Sequence, residues 1–75
     1  MYHSIRFSTD LWLDLERSPK QPLERLFLRA NTTRRVQLRP FVLETDEGLL
    51  EVADLFFEDG TAARAVPFAS FAFTD

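Results

Sequence analysis

Residues 43–66 read LETDEGLLEVADLFFEDGTAARAV, and the chain's only two glycines, Gly48 and Gly60, lie inside this stretch. Each follows a pair of acids, Asp46-Glu47 and Glu58-Asp59, and each separates two apolar runs. Glycine reaches φ > 0 at no steric cost, which short hairpin loops demand, and Asp-Gly between apolar runs is among the strongest hairpin signals. The spacing therefore predicts a strand of about eight or nine residues between two turns, a normal strand length. Along it Leu50, Val52 and Phe56 alternate with Leu49, Ala53, Leu55 and Phe57, and only Glu51 and Asp54 break the pattern. A strand apolar on both faces needs cover on both and belongs in the middle of a sheet. Phe56 and Phe57 cannot both face one core, so the second needs a cover of its own.

C-terminal to this strand, AVPFASFAF carries no charge and offers Val66, Phe68, Phe71 and Phe73 for burial. That is more than one small core requires, so Phe57, Phe68, Phe71 and Phe73 are the candidate partner interface. On the N-terminal side, RRVQLR alternates Val36 and Leu38 with Arg35, Gln37 and Arg39. Pro40 interrupts this run, as suits an edge position or a bulge. PLERLFLRA fits two periods. Leu23, Leu26, Phe27 and Ala30 recur at helical spacing with Pro22 at a permitted first helical position, while Leu26, Leu28 and Ala30 also alternate. Asn31 as a terminator, and Glu24 and Arg29 at complementary ends of the dipole, favour the helix. YHSIRFS and LWLDLER both alternate and predict two strands, whereas the two prolines of RSPKQP mark a linker. The expected fold is a single mainly β domain over residues 1–75. It is an antiparallel meander of five or six strands curling toward a partly open barrel, with at most one short helix at about residues 22–31.

Composition narrows the function. A 75-residue domain buries only about 60% of its unfolded surface, and a core of that size supplies about 3 to 5 kcal/mol. There is no cysteine to form a disulfide or thiolate site, and the single histidine, His3, cannot build a histidine metal cluster. Eight phenylalanines, Trp12 and Tyr2 leave aromatic packing and self-association as the available supports. No apolar window is long enough to span a membrane and MYHSIRFSTD lacks a signal peptide's apolar core, so a cytoplasmic protein is expected.

No chemistry-bearing constellation emerges. The acidic tips lack the alternating oxygen ligands of a calcium loop. Asp14 and Glu16 share a strand face with Trp12, which reads as a wet outer face. No Gly-x-Ser-x-Gly turn or glycine-rich phosphate loop is present. No metal, cofactor or catalytic residue is assigned, and an enzyme is not expected.

Charge is the more informative signal, because a net −3 conceals a strong asymmetry. From Arg17 to Arg39 there are seven basic residues and one acid, and from Pro40 to Gly60 seven acids and no base. The leading expectation is a non-catalytic interaction module that self-associates, as a dimer, or docks on a protein partner through a strand edge or aromatic face. The alternative is RNA or single-stranded DNA binding through the Arg-rich segment 17–39. Its contacts would be Arg25, Arg29, Arg34, Arg35 and Arg39; with segment 23–30 a strand paired with 34–39, Arg25, Arg29, Arg35 and Arg39 would form one positive face, with Phe27 or Phe41 for stacking. A basic strand can equally pair with an acidic one within the chain, or meet the acidic edge of a second copy.

Overall fold

The computed structural model describes residues 1–17 and 21–75. Pro19 and Lys20, counted above in the linker and the basic segment, lie outside the described residues. Seven strands form one sheet: β1 (His3–Phe7), β2 (Leu11–Glu16), β3 (Glu24–Leu28), β4 (Thr33–Thr45), β5 (Gly48–Phe57), β6 (Ala62–Pro67) and β7 (Phe71–Phe73). Their order is β3-β2-β6-β5-β4-β1-β7, every neighbouring pair is antiparallel, and the sheet curls into an open half-barrel. A single 3₁₀ turn, Phe68–Ser70, is the helical element among the described residues.

Three expectations need correction. Among the described residues the strands number seven rather than five or six. Only β4-β5-β6 forms a consecutive meander, with β1 and β2 carried to opposite sides of it. The helix favoured for 22–31 is strand β3, because Leu26 and Leu28 turn inward against Leu13 and Leu11 of β2. Pairing with a neighbouring strand satisfies the backbone and buries the leucines together, and this outweighs a marginal helical period.

β5 occupies the centre of the sheet, as its two apolar faces required. Both glycines adopt positive φ, +121° at Gly48 and +89° at Gly60. At the second turn, the Gly60 N–H donates to the Phe57 carbonyl (3.2 Å) and the Phe57 N–H to the Thr61 carbonyl (2.8 Å). This is the three-residue hairpin loop that ends on a left-handed residue. Asp59 Oδ1 accepts from both the N–H and the Oγ1 of Thr61, at 2.9 and 2.6 Å, so its carboxylate is committed to the turn.

The concave face holds the core: Ile5, Phe7, Leu13, Leu15, Leu28, Val36, Ala53, Leu55, Ala63, Val66 and Phe71. The half-barrel is drawn together at one end where the Asn31 N–H donates to the Phe7 carbonyl and the Phe7 N–H to the Thr32 carbonyl. Asp10 braces the same loop by accepting from the Ala30 N–H at 2.6 Å.

Candidate functional site

The β4–β5 hairpin outruns its neighbours. β1 pairs with β4 only over Thr33–Val36, and β6 with β5 only from Val52 onward, so residues 42–51 form a two-stranded ribbon held by its own ladder. Pro40 lies on the stretch of β4 that has no strand on its other side, the edge position expected of it.

Register determines what the ribbon displays. Leu43 opposite Leu50 and Phe41 opposite Val52 share one face; Val42 opposite Glu51 and Glu44 opposite Leu49 share the other. Val52 is buried at the root, but Leu49 is 76% exposed, Val42 55%, Leu50 40% and Leu43 36%. Aliphatic side chains thus face water on both sides of an arm whose tip carries Asp46 and Glu47. A free two-stranded ribbon is marginal in water. Thr45 closes it locally, its Oγ1 donating to the Gly48 carbonyl at 2.8 Å and accepting from the Glu47 N–H at 3.2 Å.

The opposite end of β4 is basic. Arg34 and Arg35 line a pocket of about 220 Å³ with Leu15, Leu26 and Phe57 as its apolar wall and Glu58, Asp59 and Thr61 from the β5–β6 turn. Arg35 faces Glu58 at 3.7 Å and lies over the Tyr2 ring; Arg34 donates to its neighbour's carbonyl at 2.9 Å. Arg29 and Arg6 are exposed at the same end, near Thr32 and Thr33.

Arg25, Arg29, Arg35 and Arg39 of the nucleic-acid alternative do not form one face. β3 and β4 are separated by β2, β6 and β5, so the strand pairing that would have aligned them does not occur. Arg25 pairs with Asp14 (3.5 Å) and stacks over Trp12, Arg35 pairs with Glu58, and Arg39 binds Asp54 at 2.8 Å. Among the described residues, Arg29 and Arg34 have no carboxylate within salt-bridge distance. Phe27 packs on Trp12, with ring centroids 5.1 Å apart, and both remain substantially exposed.

Of the four candidate interface phenylalanines, Phe71 is only 6% exposed and belongs to the core. Phe57 and Phe68 pack against the core with partial exposure, and only Phe73, 51% exposed on edge strand β7, stands open. These four therefore do not make a continuous outer surface. Phe57 takes the core side of β5, while Phe56 on the convex side is covered by Arg64, whose guanidinium lies 5.3 Å from the ring centre. The cover for the second phenylalanine comes from the chain itself.

Arg64 belongs to an ionic knot that the sequence signalled only through the acid interrupting an apolar strand. Asp54 is 2% exposed. Its Oδ1 accepts from the Ala65 N–H at 2.9 Å, and its Oδ2 from Arg39 at 2.8 Å and Arg64 at 3.2 Å. Arg64 also reaches Glu16 at 3.3 Å. A bulge in β6 makes this possible: Ala53 pairs with Val66 and Leu55 with Ala63, leaving Arg64 and Ala65 opposite Asp54, with Ala65 at φ +54°. Burial opposes the charge of Asp54, yet the Ala65 N–H and the two guanidiniums outweigh it and hold the carboxyl below its ordinary range. The hydrogen bonds that Arg64 donates to Glu16 and Asp54 in turn raise its pKa. All four polar partners are consumed in tying β2, β6, β5 and β4 together, so the knot is structural.

Among the described residues no three His, Asp or Glu side chains converge as metal ligands, and no helix is long and apolar enough to cross a membrane. No protein-family model matches the chain, and no match to a curated protein or to a solved structure was found.

Proposed function

We propose that this chain is a non-catalytic protein-docking module whose contact surface is the β4–β5 arm. The observation that carries the proposal is the exposure of Val42, Leu43, Leu49 and Leu50 on both faces of a ribbon that no other strand among the described residues supports. Leaving four aliphatic side chains in water forgoes the burial energy of each, about 1.5 to 3 kcal/mol when complete. A partner that closes over the arm recovers part of that energy and rigidifies a marginal hairpin. The edge of β4 beyond Val36 adds unpaired backbone to the same surface.

Nucleic-acid binding draws less support, since Arg25, Arg35 and Arg39 are each matched to a carboxylate of the chain. A cytoplasmic setting accompanies the docking proposal. A photo-crosslinking residue placed at position 49 in cells is expected to give a discrete protein adduct, and one at position 14 on the body is not. No adduct from position 49, or equal adducts from both, overturns the proposal.

A further inference from the structure

Acid and base are segregated along β4. Glu44, Asp46, Glu47 and Glu51 gather on the arm, where no Lys or Arg occurs between Pro40 and Gly60. Arg6, Arg29, Arg34 and Arg35 gather where β4 begins, ten or so residues away on a molecule whose longest dimension is 32 Å. Among the described residues, none of the four arm acids lies within salt-bridge distance of a cation, and neither do Arg29 and Arg34. The arm's aliphatic side chains also have a counterpart at the far end, the pocket walled by Leu15, Leu26 and Phe57 beneath Arg34 and Arg35.

Resting on the docking reading above, we infer that the arm's occupant is a second copy of this chain. The two copies lie antiparallel about a two-fold axis, so that the acid-tipped arm of each reaches the arginine end of the other. A two-fold interface must be self-complementary. A surface acidic and aliphatic at one end, and basic and pocketed at the other, meets that condition when one copy is reversed. A specific interface takes about 800 Å² from each partner, or about 15% of this chain's 5299 Å². An arm and its receiving end, used twice, can supply such an area. The contact closes on itself, so association stops at two.

Sedimentation velocity at micromolar concentration is expected to show a dimer at low salt whose dissociation constant rises about tenfold or more at high salt. Glu44→Arg with Glu47→Arg is expected to give a monomer, as is Arg29→Glu with Arg34→Glu. Mixing the two variants should restore a dimer, because both contacts are again between opposite charges; recovery on mixing also shows that each variant is folded. A wild-type monomer at every concentration overturns the inference, as does dimerisation that ignores the charge reversals or a mixture that stays monomeric. The position-49 adduct separates this failure from that of the docking reading. An adduct of twice the chain's mass supports a second copy, an adduct with another protein leaves docking standing without self-association, and no adduct removes both.

Discussion

Asp54 is the residue on which the convex side of the sheet turns. It carries the only buried carboxylate among the described residues and ties together a bulge and two guanidiniums. Asp54→Ala leaves the Ala65 N–H without its acceptor and two arginines without their counter-charge. Because Arg39 and Arg64 remain 70% and 47% exposed, water compensates them in part. The expected loss is about 2 to 3 kcal/mol in denaturant unfolding. The pH dependence follows from the same contacts. The carboxyls of Asp54 and Asp59 are both held below the ordinary value of 3.8, the first against burial by its three donors, the second by Thr61. Above about pH 5 both are ionised, folded or unfolded, and their stabilisation is complete. As pH falls below that value the unfolded chain takes up protons first, and stability drains away through the lowered folded pKa values. Thermal unfolding across the acid range should therefore show a falling limb that is shallower in Asp54→Asn. An unchanged limb would mean that Asp54 does not carry the acid sensitivity. An acid that interrupts an apolar strand is visible in the sequence; that the partners of Asp54 are Arg39 and Arg64 is not, since they lie on two other strands.

At the scale of elements, the turns and the bulge hold opposite balances of backbone strain. Gly60 sits at φ +89° with nothing within 4 Å of the position a Cβ would take. Gly60→Ala should thus cost about 1 kcal/mol through backbone conformation alone, with Gly60→Asn milder. Ala65 holds a left-handed conformation, φ +54°, with its Cβ in place. Ala65→Gly should raise stability by about 0.5 to 1 kcal/mol, while Ala65→Val should lower it. Equilibrium unfolding of the four variants checks the signs. Both hairpin turns around β5 were legible, because Asp-Gly and Glu-Gly between apolar runs act within a few residues. The bulge was not, since nothing in ARAV distinguishes an alanine with positive φ from its neighbours. β3 shows the same limit: its leucines satisfy two periods, and the strand β2 beside it decides between them.

For the molecule as a whole, the C-terminal phenylalanines divide between inside and outside. Phe71→Ala should destabilise by about 3 to 5 kcal/mol, because the ring lies in the core against Phe7 and Phe68. Phe73→Ala, at a half-exposed site on the edge strand, should cost under half as much in the same unfolding measurement. Equal losses would contradict the placement of β7. Of Phe57, Phe68, Phe71 and Phe73, expected to serve a partner, Phe71 lies in the chain's own core, because an uncharged segment shows only that something must be buried, not against what. Here most of that cover is the chain's own core, reached when β7 docks beside β1 rather than beside β6. Alternation and the two glycine turns, which are local, made the sequence alone sufficient for a mainly β chain with β5 at its centre. Charge segregation was equally plain. Strand order, the destination of each arginine and the projection of the arm came only with the tertiary structure. They depend on which strands meet across long separations in the chain, and alternation carries no record of that.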